Sequence, residues 1–205
     1  GLSRLSDLGP AEPVQLYERE QPGELLHIDI KKLGRFDKAG HRVTGDRSQR
    51  ARDIGWDYVF VAVDDHSRAA FTQVYPDETR HSAAAFLRAV SHFSSWGVPI
   101  QRVLTDNGMS FHSALFSEAC LELGLTQKFT RAFRPQTNGK AERFIQSALR
   151  EWAYGRRYEN SEQRCQALPA WTHFYNWHRP HHGISLASPV SRLSISRKNL
   201  LTLHI

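Results

Sequence analysis

The chain has 205 residues, 40% of them hydrophobic and including five Trp and eleven Phe, enough to build a core in one large domain or in a domain with an extra lobe. That composition excludes a wholly disordered chain, and no apolar run approaches the roughly 18 residues that span a bilayer. Lys and Arg total 27 against 21 acids, a net charge of +6 with a pI near 9.6, which favours a polyanionic partner such as nucleic acid.

Two cysteines, Cys120 and Cys165, fall in predicted helices and form no CxxC pair. A disulfide framework or a Cys-based zinc site is therefore not expected, and a reducing, cytoplasmic setting fits. No signal peptide is read. Met109 is the only methionine, so the sequence reads as a piece of a longer protein.

Residues 1–22 read as a polar lead-in segment. In "ELLHIDIKKL" (24–33), Leu26, Ile28 and Ile30 alternate with His27, Asp29 and Lys31, the pattern of a strand with one face in the core. Residues 34–56 carry six Lys/Arg and three Asp without periodicity and read as a long basic hairpin loop. "DYVFVAVDD" and "RAAFTQVYP" read as the next two strands of an antiparallel meander.

The period then changes. Phe86, Ala89, Val90, Phe93 and Trp96 predict a helix over 79–96 that ends at Gly97. "QRVLTD" (101–106) is a short strand, 113–123 a helix stopped by Gly124, and "LTQKFT" (125–130) a fifth strand. Ala141, Phe144, Ile145, Ala148, Leu149 and Trp152 mark a strongly amphipathic helix. A last helical region covers 161–177, bent at Pro169, and a Pro/Ser-containing tail follows from 181. The order βββαβαβα predicts an α/β fold, a mixed five-stranded sheet flanked by helices, with the main unit over 23–180.

Three carboxylates stand out against this pattern. Asp29 sits in the middle of a strand, where Asp is disfavoured unless it faces solvent or its charge is compensated. Asp106 closes a strand in "VLTDNG", which by itself is an ordinary Asx turn. Glu142 lies in the first turn of a helix, where the dipole favours an acid whatever its task. Together, an acid in the first strand, one at the end of a later strand and one in a helix start can converge on one sheet edge. Three carboxylates at one point repel unless hard cations lie between them, and oxygen ligands suit Mg²⁺ or Mn²⁺.

The segments "HIDI", "VDDHSR", "VLTDNG", "FRPQTNGKAERF" and "YNWHRPH" resemble the integrase catalytic core of DDE transposases from bacterial insertion sequences, with retroviral integrases as more distant relatives. The resemblance runs from about Glu18 to Leu193, and 35 residues separate Asp106 from Glu142 (142 − 106 − 1), the D,D-35-E spacing. It implies a ribonuclease-H-like fold with Asp29, Asp106 and Glu142 as the catalytic, metal-binding triad for Mg²⁺ or Mn²⁺, two ions in all. It implies two steps at one site: water cuts double-stranded DNA at the transposon end, and the freed 3′-OH attacks target DNA. No covalent enzyme intermediate is expected.

The same match puts Gln136, Thr137, Asn138 and Lys140 on DNA, with Arg134 and Arg143 at phosphates. It also implies a dimer or larger homo-oligomer acting on chromosomal or plasmid DNA, away from membranes. These transposases usually carry an N-terminal helix-turn-helix region, and none is read in these residues. Where some relatives carry a cation seven residues after the glutamate, this chain has Leu149, with Arg150 one step on.

Asp64 and Asp65 read as strand-end and turn residues. His173, His178, His181 and His182 read as packing and hydrogen-bonding groups, and Trp171, Tyr175 and Trp177 as the seat of their helix. Two other readings use the same residues: a ribonuclease-H-type nuclease, or a truncated or domesticated copy that binds DNA without transposing it.

Overall fold

The structure is a computed structural model that describes residues 17–38, 55–130, 138–193 and 195. Within them a five-stranded sheet forms, in the order β3-β2-β1-β4-β5. Strand β1 (Leu26–Gly34) pairs antiparallel with β2 (Trp56–Asp64), which pairs antiparallel with β3 (Ala70–Tyr75). On its other side β1 runs parallel to β4 (Arg102–Thr105), and β4 parallel to β5 (Thr126–Phe129). The mixed sheet is the expected one. Residues 39–54, most of the predicted basic loop between β1 and β2, lie outside the described residues.

Both faces of the sheet are covered. Parallel neighbours need crossover connections, and these are supplied by helix α1 (Arg80–Ala89) with the short α2 (His92–Ser95), and by α3 (Ala114–Glu122). Their apolar sides join Leu26, Ile28, Phe60, Ala62 and Val103 in one core. Phe86 anchors it, with ring centroids 5.3 Å from Phe60 and 5.8 Å from Phe71. The opposite face holds Leu33, Val59, Val61 and Val63 beneath α4 (Gly139–Ala148) and α6 (Leu168–Trp177). His27 is consequently fully buried, whereas alternation alone put its side of β1 outside the core.

The predicted helix over 79–96 is broken in two. Bonds from Phe93 N–H to Val90 O and from Ser94 N–H to Ser91 O tighten the chain into a 3₁₀-like turn between α1 and α2. Gly97, at φ +73°, then lets Val98 N–H reach back to Phe93 O, a Schellman closure. Gly124 (φ +67°) ends α3 by the same device, with Leu125 N–H on Cys120 O.

Helix α4 continues into a π-helical turn, Leu149–Ala153. Trp152 is 2% exposed there and donates its indole N–H to Arg164 O at 2.8 Å. Helix α5 (Ser161–Gln166) is capped by Asn160, and Pro169 sits in the first turn of α6. The bend expected at Pro169 is this α5–α6 boundary. Beyond α6, Ile184, Val190 and Leu193 are buried, so the described segment 181–193 packs against the rest.

Candidate active site

The register of β1 against β4 determines where two of the three acids stand. His27 is paired with Leu104. Two residues further along each parallel strand come Asp29 and Asp106, and a step of two keeps each side chain on the face of the residue before it. Asp29 is therefore mid-strand on the α4 side of the sheet. Asp106, just past the end of β4, is exposed and accepts the Gly108 N–H at 2.9 Å in the Asx turn read from "DNG". A Cβ on Gly108 would stand 3.0 Å from that same Asp106 oxygen, so glycine keeps the turn open.

Glu142 reaches the same face from above. Ala141, Phe144, Ile145 and Ala148 bury one side of α4 against β1 and β2. Phe144 is locked between Trp171 and Tyr175, at 5.5 and 4.7 Å between centroids. With that side held down, Glu142 stands exposed in the first turn.

Asp106 and Glu142 both act on Asp29. The Asp29 carboxyl stands raised from 3.8 to about 6, chiefly by burial, a rise opposed by the Ile30 N–H it accepts at 2.7 Å. The charges of Asp106 and then Glu142 contribute to that rise, and Lys31 opposes it. Among the described residues, no three His, Cys, Asp or Glu side chains are gathered closely enough to hold a metal ion. The acids thus share an electrostatic field without forming a ready-made metal cage. Their chemistry fits a divalent cation, because a hard positive charge among them would relieve the repulsion that raises Asp29.

The residues expected on DNA are placed unequally. Arg134, Gln136 and Thr137 lie outside the described residues. Arg143 is exposed on α4. Asn138 is only 4% exposed and faces inward: its Oδ1 is 3.1 Å from His27 Nδ1, and its amide donates to Ile28 O at 3.2 Å. Lys140 stands 2.5 Å from Asp65 and also donates to the Tyr17 and Asp65 carbonyls.

Asp64 and Asp65 are the strand-end and turn residues expected, but they do more than turn the chain. Asp64 accepts from Gly23 N–H, Ser67 N–H and Ser67 Oγ–H. Asp65 accepts the Arg19 N–H at 2.7 Å and lies 2.7 Å from His27 Nε2. Burial would raise the Asp65 carboxyl, yet His27, Lys140 and the Arg19 N–H hold it well below the usual carboxylate range. For Lys140, burial outweighs the pull of Asp65 and lowers the ammonium. The contact geometry, with each group also hydrogen-bonded, is that of a formed ion pair.

His27 and Asp65 were not among the expected site residues. The one signal for His27 was its place two residues before Asp29 on the same strand face. The expected packing roles of the histidines on α6 and after it are observed for three of them, His178 stacking on Phe174 at 6.3 Å between centroids. His173 stacks on Trp177, and His181 packs edge-on against Tyr175 at 4.4 Å.

A mixed five-stranded sheet of this order with helices on both faces is a ribonuclease-H-like fold. The integrase core domain profile matches residues 19–135, and a second integrase core domain profile matches 123–189. The ORF3 protein of Spiroplasma virus SpV1-C74 is 26% identical over 151 residues, covering 67% of this chain and 42% of that protein. An uncharacterised protein of insertion element IS136 from Agrobacterium fabrum is 30% identical over 89 residues, 42% of this chain and 44% of its own length. Among solved structures, a chain of the simian T-cell lymphotropic virus intasome, in complex with the PP2A regulatory subunit B56 gamma, superposes with a TM-score of 0.61. That match is 16% identical and covers 89% of this chain and 58% of that one, a likeness of fold. The protein belongs to the integrase core domain family. Its matches span less than half the length of these two sequence relatives. No helix among the described residues is long and apolar enough to cross a membrane.

Proposed function

We propose that this chain is the catalytic core of a DDE transposase, which cleaves double-stranded DNA at transposon ends and joins the 3′-OH to target DNA by phosphoryl transfer. The observation that carries this reading is the convergence of Asp106 and Glu142 on Asp29, whose carboxyl both of them help to raise, although the three stand 77 and 36 positions apart in the chain. Family membership, the basic net charge and the 35-residue spacing support it.

In this reading Asp29, Asp106 and Glu142 hold Mg²⁺ or Mn²⁺, two ions in all. Such ions, when bound, activate the attacking oxygen and stabilise the leaving oxygen of an in-line displacement. The chain's own contribution is placement. The β1–β4 register sets Asp29 and Asp106 at corresponding positions of neighbouring strands, and the buried side of α4 leaves Glu142 exposed in its first turn. A reaction of this type asks little covalent chemistry of the protein, so positioning and charge neutralisation carry the catalysis. Arg143, exposed beside Glu142, is suited to a DNA phosphate. So are Arg134, Gln136 and Thr137 by the family pattern. Two DNA ends must be joined, so the working form is an oligomer.

The test is a joining assay with a 3′-OH-ended duplex and supercoiled target in Mg²⁺ or Mn²⁺. Joined products are expected from the wild-type chain. Asp106→Asn should abolish joining while duplex binding persists. Fragments without joined products would instead mark a nuclease, and unchanged joining by Asp106→Asn would refute the triad.

A further inference from the structure

We infer that His27, Asp65, Asn138 and Lys140 form an internal clamp that sets the position of Glu142 relative to Asp29, making Asn138 and Lys140 positioning residues rather than DNA contacts. The inference rests on the proposed role of the acids as the reacting centre.

Asn138 occupies the N-cap of α4, where Asn is favoured because its side chain can accept a backbone N–H of the first turn. It makes no such bond. Its amide is turned inward instead, with Nδ2 donating to Ile28 O and Oδ1 meeting His27. A cap residue that forgoes capping has its side chain committed to the strand below.

Lys140 is just as fully committed. An ammonium has three N–H donors, and three acceptors surround this one: Asp65 Oδ1 at 2.5 Å, Tyr17 O at 2.9 Å and Asp65 O at 3.2 Å. The Tyr17 ring covers it at 4.6 Å. No donor is left for a phosphate.

Asp65 joins the halves. It is fully buried, with Oδ1 shared by His27 and Lys140 and Oδ2 taking the Arg19 N–H. His27 is two residues before Asp29, and Lys140 two before Glu142. The clamp therefore ties β1 to the start of α4 within two residues of each acid. Releasing it frees the first turn of α4 to shift, and a displacement of about 1 Å at a reacting centre can cost about 100-fold in rate.

The experiment compares the full chain with its Lys140→Met and Asp65→Asn variants. Three quantities are read: joining rate at saturating DNA, duplex affinity across a salt series, and hydrogen exchange of the amides in the first turn of α4. The clamp predicts a rate loss of about 100-fold in each variant. It also predicts faster exchange in that turn, with duplex affinity and salt slope unchanged. If Lys140 binds phosphate, Lys140→Met weakens duplex binding uniformly and lowers the salt slope by about one. Exchange in α4 would then stay as in the wild type, and the inference is overturned.

Should Lys140→Met fail to fold, Asp65→Asn, which keeps the side-chain shape, carries the same readouts. Wild-type joining no better than that of Asp106→Asn would sink the proposed function. Exchange and salt slope would still decide the clamp.

Discussion

Asp29 holds a charge that the fold makes costly. Its carboxyl stands at about 6 rather than 3.8, a difference of roughly 3 kcal/mol between its protonated and ionised forms. A raised acid keeps its proton longer in the folded state than in the unfolded chain. Stability of the metal-free protein should therefore fall as pH rises from about 4 through about 6, once the unfolded carboxyl has ionised. Asp29→Asn removes that loss, so its metal-free melting temperature at pH 7 should exceed the wild type's in calorimetry. Added Mg²⁺ should raise the wild-type melting temperature and leave the variant's nearly unmoved. At this scale the exposed first-turn place of Glu142 and the Asx turn at Asp106 were legible from the sequence, because both are local. The inward turn of Asn138 and Lys140 was not, because it depends on His27 and Asp65, 111 and 75 positions away in the chain.

Helix α4 is the element on which the candidate site depends, and its apolar stripe predicted its buried side correctly. Phe144→Ala would open a cavity between Trp171 and Tyr175, and large core truncations of this kind cost about 3–5 kcal/mol. Urea unfolding should register that loss. The π-helical turn after α4 had no sequence signal, since Leu149–Ala153 continues the same stripe. Tyr154 N–H bonds to Leu149 O there, and Gly155 follows. A Cβ at Gly155 would stand 2.4 Å from Arg150 O and 2.6 Å from Glu151 O. Gly155→Ala should therefore destabilise by about 1–3 kcal/mol, as overpacking does, and shorten the π-helical turn in a crystal structure of the variant. The break between α1 and α2 was equally hidden, because Val90, Phe93 and Trp96 stay on one buried side across it.

Across the whole molecule, the sheet order brings together residues that the chain keeps far apart, and the proposed function assigns the surplus of basic residues to the attraction of DNA. Duplex affinity should fall steeply with salt, linearly in log–log form, as counterion release requires. A flat salt response, read by fluorescence anisotropy, would remove DNA as the partner. The central claim is that Asp29, Asp106 and Glu142 close around divalent cations. A crystal structure of this chain soaked in Mn²⁺, read by anomalous diffraction, tests it most directly. Manganese peaks ligated by all three carboxylates are the predicted result. The contrary result is full Mn²⁺ soaking with no peak among them and the acids still apart.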